Sequence, residues 1–205
     1  TYIHLKEAAF ADDLNCFKRF GGAVGDAAVY AKLAECQVSL HQWGNANQVT
    51  FDPAKESFHI LHRCRPSGRS LKILGVHFDT KLLMETATCE MAAQAHHRLN
   101  TLLRARRFYS VWRVVGLYKS LVLSYIETST PALYHATAFA LSTLDGVQDR
   151  LLAELDMSAL VALAEFSLAP LGTRRDIAML GLIHRVVLGV APPQFNEFIR
   201  PATSQ

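Results

Sequence analysis

Two adjacent carboxylates, Asp12 and Asp13, stand between apolar runs near the start of the chain. An ionised carboxylate in an apolar site is costly unless a cation or water meets it. Upstream, Ile3 and Leu5 beat with period two, as do Leu14 and Cys16 downstream, so the spacing predicts two short strands with the acidic pair at the bend between them. Carboxylates held on such a hairpin can present oxygens to divalent metal ions; the plainer alternative is a solvated acidic turn. Lys55 follows the run Asn47 to Ala54, where a strand end and the Asp52-Pro53 turn present it. A cation there can support a phosphate leaving group, or be an ordinary exposed loop lysine. His59, His62 and Cys64 put three soft ligands in one short stretch, but no second ligand pair completes a zinc site. On a strand the two histidines would face opposite ways.

Several chemistries lack their starting residues. There is no GxxxxGK[ST], GxGxxG or GxSxG. A DDxxD arrangement would need an acid at position 16, where Cys16 stands. The four cysteines, Cys16, Cys36, Cys64 and Cys89, form no CxxC pair, so reduced thiols are expected. No apolar run is long enough to cross a bilayer, and an intracellular protein, cytoplasmic or nuclear, is expected.

The elements that must position these residues fall into two regimes. Through residue 80 the pattern is mixed. Asp26 is expected to cap a helix whose face is Val29, Leu33, Cys36, Leu40 and Trp43 and which ends at Gly44. Val49 to Phe51 and Ser57 to Leu61 read as strands, Arg65 to Arg69 as a turn, and Leu71 to Phe78 as a returning hairpin partner with Gly75 at a bulge or close approach. From about residue 85 the period is helical. Ala92, Ala95, Leu99 and Leu102 make one stripe; Val111, Val114, Val115, Tyr118, Leu121, Val122 and Tyr125 make another. Thr130-Pro131, Ser142 to Asp145 and Thr173 to Asp176 read as helix starts, and Gly189 with Pro192-Pro193 closes the last helix. The fold class is therefore α+β.

The net charge of +3 over 205 residues is unevenly spread. Residues 1–80 carry +1, residues 81–126 carry +5 and residues 127–205 carry −3. A basic middle suggests a polyanion-contacting element there, with His96 and His97 at the surface or facing phosphate.

Together these residues resemble a family. Phe10-Ala11-Asp12-Asp13 is similar to the [FY]xDD hairpin of reverse transcriptases, and a helix follows it as in that family's palm. Trp43-Gly44, Asn47 and Lys55 resemble the next palm motif of the non-LTR retrotransposon enzymes. Leu71 to Asp79 is similar to the Leu-Gly hairpin that grips the primer end. The resemblance spans residues 1 to about 125, and each motif gains its specificity from the order.

The resemblance implies a partial polymerase palm over 1–80, made of β-hairpins plus one helix, an all-α thumb over 81–141 and C-terminal helices over 142–205. It implies RNA-directed DNA synthesis with two Mg²⁺ or Mn²⁺ ions, an RNA template with a DNA primer, deoxynucleoside triphosphates and no membrane. Asp12 would be the metal ligand with Asp13 beside it, Lys55 the acid for pyrophosphate departure, and Leu74 and Gly75 the primer grip. Arg98, Arg104, Arg106 and Arg107 would contact duplex phosphates. The family also needs a further aspartate on an upstream strand, which would lie before Thr1. A fragment inactive by itself is therefore expected, since two ions about 3.5–4 Å apart need both strands. The alternative is a non-catalytic basic nucleic-acid-binding module; a third is a helical interaction domain built on residue 127 onward.

Overall fold

The computed structural model describes residues 6–10, 13–197 and 199, with the backbone alone at 6–10, 13, 196 and 197. Its contacts divide the chain into two compact units, one up to Phe58 and one from His59. The protein is mixed α+β and mostly helical, with two small two-stranded antiparallel sheets.

In the first unit, β1 (Lys6–Phe10) pairs with β2 (Asp13–Phe17) from Lys6↔Phe17 to Phe10↔Asp13, so two residues separate the strands. The expected beat of Leu14 and Cys16 lies on β2; that of Ile3 and Leu5 lies outside the described residues. Helix α1 (Asp26–Ala46) then begins one residue earlier in its cap than expected. Gly25, extended at φ −72°, is the N-cap, and Asp26 is the first helical residue, where its charge complements the helix dipole. Nor does Gly44 end the helix, which runs on to Ala46 with Asn47 as C-cap. Gly44 is there for space. A Cβ at this position would lie 2.6 Å from the Val49 carbonyl oxygen and 2.8 Å from the Phe51 ring. Val49 to Phe51 forms no strand: the Val49 N–H is spent on the Gly44 carbonyl at 2.8 Å, which folds the segment back on α1.

Across the boundary, Ser57 to Leu61 likewise forms no strand, and in the second unit Ile60 makes a single bridge to Ser67 across the intervening turn. The hairpin is instead β3 (Leu71–Ile73) against β4 (Val76–Phe78), closed by Ile73↔Val76. Leu74 and Gly75 are its turn, with φ of +48° and +84°. Two positive φ values are what a type I′ turn requires, because its twist matches that of the strands. Gly75 thus serves backbone conformation, since a Cβ there would meet nothing within 4 Å. Asp79 organises the segment after the hairpin: its carboxylate accepts from the backbone N–H groups of Lys81, Leu83 and Met84. This shapes the approach to α2 (Glu85–Ala105), where Leu82 and Met84 take left-handed φ.

Helices α2, α3 (Val111–Tyr118) and α6 (Ala138–Glu154) build the core around Leu99, Val115, Tyr118, Val147 and Leu151. A smaller cluster of Met84, Met91, Leu133 and Leu144 lies at the other end of α2. The stripe expected along 111–125 is interrupted. A π-helical segment, Lys119–Leu123, joins α3 to α4 (Ser124–Glu127). The extra residue per turn rotates the buried line from Val114, Val115 and Tyr118 onto Val122, Leu123 and Ile126, leaving Leu121 exposed, and Val111 at the start of α3 is exposed as well.

Three helix starts also differ from expectation. α5 (Thr130–Leu133) is capped by Ser129, with Thr130 buried inside it. Thr137, whose hydroxyl accepts the Ala140 N–H, caps α6, so Ser142 to Asp145 lies within the helix. α7 (Ala159–Phe166) is capped by Ser158, and α8 (Leu171–Val187) starts after Pro170 rather than at Thr173. Asp145 is drawn away from capping by Arg175, which holds it in a two-pronged ion pair at 2.7 and 3.0 Å. The close of α8 is as expected: Gly189 at φ +71° and the Val190-to-Arg185 and Gly189-to-Val186 hydrogen bonds make a Schellman cap. The stripe of α8 does not become core, however. Ile177, Leu180 and Val187 are all more than half exposed.

Candidate functional site

The residues singled out from the sequence divide between the units. Asp12, Asp13 and Lys55 belong to the first; Leu74, Gly75 and the arginines belong to the second. Asp12 lies outside the described residues. Asp13 opens β2, paired through its backbone register with Phe10.

Lys55 is placed by α1. The Asp52 side chain accepts the Ala54 N–H at 3.0 Å, and the Asp52 carbonyl accepts the Lys55 N–H at 3.0 Å, which makes a tight turn. Next to it, Glu56 is clamped to the helix: Gln37 donates to one carboxylate oxygen and His41 Nε2 lies 2.7 Å from the other. The His41 and Phe51 rings, 5.8 Å apart, pack beneath. Lys55 itself is exposed at the apex. Sequence reasoning reached the lysine and missed the Glu56 clamp, whose only signal was one acid beside a turn.

Leu74 is 63% exposed at a left-handed φ. A leucine there loses conformational energy and recovers none through burial. Asn-Gly would fit this turn better.

The four arginines do different work. The Arg98 guanidinium donates to the Leu121 carbonyl at 3.0 Å and stacks 4.0 Å from the centre of the Tyr125 ring. It therefore ties α2 to the π-segment through a backbone carbonyl. Arg106 donates to both the Glu154 carbonyl and its carboxylate, the latter at 2.6 Å, tying the end of α2 to the end of α6. Arg104 and Arg107 point to solvent, and Arg107 lies 4.8 Å over the Phe108 ring. Two of the four are thus open to a phosphate, and two are spent within the fold.

The other titratable residues have structural roles. His62 Nδ1 accepts the N–H groups of Cys64 and Arg65, so its hydrogen sits on Nε2. His59 Nδ1 lies 2.8 Å from the Arg69 carbonyl. His97 is exposed, whereas His96 is half-buried; burial first, and the Arg150 charge second, pull its pKa below the usual imidazole value. His96 therefore stays neutral near pH 7. Burial pushes the Tyr118 hydroxyl well above the usual phenol range.

Of the two carboxylates that the resemblance assigns to a divalent metal, Asp12 is outside the described residues and Asp13 is described by its backbone alone. No group of three or more His, Cys, Asp or Glu side chains is placed to hold an ion among the described residues. Among those residues, too, no helix is long and apolar enough to cross a membrane. A feature missed from the sequence is aromatic: Phe108, Tyr109 and Trp112 lie exposed among Arg107 and Arg113. No protein-family model, curated protein or solved structure matches the chain.

Proposed function

We propose that this chain is the palm-to-thumb portion of a reverse transcriptase of the non-LTR retrotransposon type. The observation that carries this reading is the first hairpin. Its ladder closes on Phe10↔Asp13, which sets the first and last residues of the motif opposite each other on two antiparallel strands. The order of the downstream elements supports it: a helix that carries Trp43-Gly44 in its last turn and ends at Ala46, a clamped turn bearing Lys55, a tight Leu74-Gly75 hairpin and a basic helical region. In this reading Asp12 and Asp13 supply one strand of a Mg²⁺ site, Lys55 supports the departing pyrophosphate, and the exposed Leu74 meets the primer end. Arg104 and Arg107 contact the template–primer duplex. The second metal-binding strand is not among the described strands, and the chain does not polymerise by itself.

The test combines binding and synthesis on a primed RNA template. Mg²⁺ is expected to tighten binding of the wild-type chain, and Asp12→Asn or Asp13→Asn to remove that response, with no primer extension in any case. Extension that Asp12→Asn abolishes would overturn the claim of inactivity. Salt-sensitive binding that is indifferent to Mg²⁺, and unchanged or improved by the two substitutions, would replace the polymerase reading. The exposed Arg104 and Arg107 favour, in that outcome, a non-catalytic nucleic-acid-binding module.

A further inference from the structure

From Met91 to Ile126 the chain carries six Arg or Lys residues and no Asp or Glu. The middle of that stretch is a knuckle between two helices. α2 ends, a 3-10 turn covers Arg106–Phe108, Tyr109 donates its N–H to the Arg106 carbonyl, and Ser110 caps α3 by accepting the Arg113 N–H. Local backbone bonds therefore fix the knuckle, and three aromatic rings stand on it in the open. Phe108 is 70% exposed, Trp112 64% and Tyr109 47%. Leaving so much aromatic surface in water forgoes burial that each ring would otherwise gain.

Trp112 is also braced. Its ring lies against Phe166, the last residue of α7, with centroids 4.5 Å apart, while most of its surface stays open. Lys119 donates to the Phe166 carbonyl and holds that end of α7 in place. Arg107 lies over Phe108. Of the acids brought nearby by the fold, Glu154 is already neutralised by Arg106. Glu165, beside Phe166, leaves the balance positive against Arg104, Arg107 and Arg113.

We infer that this knuckle is a stacking platform for unpaired nucleotides, with Trp112 and Phe108 receiving base faces and Arg104, Arg107 and Arg113 the adjoining phosphates. It rests on the nucleic-acid-contacting part of the proposed function and adds which strand state is held. Phosphates alone need only cations, but an exposed ring needs a base face, which a duplex hides except at its ends. An anionic lipid surface is the rival for basic and aromatic residues. It would want a long continuous apolar face, whereas here the run from Phe108 to Trp112 is short, Arg107 and Arg113 flank it, and Trp112 lies against Phe166.

Trp43 and Trp112 are the two tryptophans, so Trp43→Phe in the full chain makes Trp112 the reporter. A mixed-sequence single-stranded RNA is expected to quench it. The same strand in a blunt duplex is expected to bind without comparable quenching. Phe108→Ala, at a residue outside the core, should weaken single-strand binding about ten-fold and leave duplex binding unchanged. Trp112→Phe should retain more single-strand binding than Trp112→Ala, with circular dichroism confirming the fold of each. Binding that depends on the arginines but not on the rings overturns this inference and leaves the parent reading standing. So does quenching by phosphatidylserine vesicles without quenching by RNA, provided duplex binding persists. Failure to bind any nucleic acid at low salt overturns both.

Discussion

Gly44 and Asp79 show how single residues carry more than their type suggests. In a helix interior alanine is favoured over glycine by about 1 kcal/mol, so propensity alone would make Gly44→Ala stabilising. The space argues the other way, and by more. A Cβ there would lie 2.6 Å from a backbone oxygen and 2.8 Å from an aromatic ring, and neither is the free end of a flexible chain. Overpacking of this kind costs about 1–3 kcal/mol. Gly44→Ala is therefore expected to lower the urea midpoint, and because Val49 and Phe51 lead into the turn, to loosen the presentation of Lys55. At Asp79, burial alone would raise the carboxyl pKa, but N–H donation from Met84, Leu83 and Lys81 outweighs it and holds the pKa below the usual value. A lowered carboxyl pKa contributes stability at pH values above the unfolded-state pKa and loses it as pH falls through the folded one. Asp79→Asn keeps the shape but turns one acceptor into a donor facing Met84. It should cost about 1–2 kcal/mol near neutral pH, discounted for the half-open site. The gap between variant and wild type in thermal melts should begin to narrow below about pH 4 and close as pH falls through the lowered folded-state pKa.

At the scale of elements, what periodicity could find it found, and what long-range competition decides it missed. Helices α1, α2, α3, α6 and α8 lie where apolar spacing put them. Their starts moved because capping signals are local: Ser142 to Asp145 has the pattern of a box, yet Arg175 claims Asp145 and Thr137 caps instead. The strands read at 49–51 and 57–61 did not form: among the described residues the Ile60–Ser67 bridge is all that pairs with them. The π-segment was invisible, since its register shift is supported by Arg98, a residue far away in sequence. That separates the arginines experimentally. Arg104→Ala and Arg107→Ala should each reduce the slope of log binding constant against log salt by about one, with little change in stability. Arg98→Ala should leave that slope nearly unchanged and speed amide exchange across residues 119–124. Arg98→Lys should rescue it poorly, because lysine lacks the planar face that stacks on Tyr125.

At the scale of the whole molecule, burial is distributed unequally between the units, and this sets where the candidate chemistry sits. Both clusters of buried apolar residues belong to the second unit. In the first, among the residues whose burial is described, Val29, Cys36 and Gly44 alone are buried, although the stripe from Val29 to Trp43 is the one the sequence marked. Tyr30, Val38 and Trp43 of α1 are each more than a third exposed. Hydrogen bonds in an element with so few buried contacts open at low cost, whereas those beneath Leu99, Val147 and Leu151 open only with the unit as a whole. The expected outcome in hydrogen exchange is a hierarchy: amides of α2 and α6 protected longest, those of α1 exchanging at least about ten-fold faster. In the proposed function α1, which precedes the turn bearing Lys55, is then the labile part and the basic helices the rigid one. Adding a primed RNA template with Mg²⁺ should slow exchange in α1 more than in α6, and Asp12→Asn should remove that difference. Equal protection of α1 and α6 in the free chain would mean that α1 is held by more than its described contacts provide.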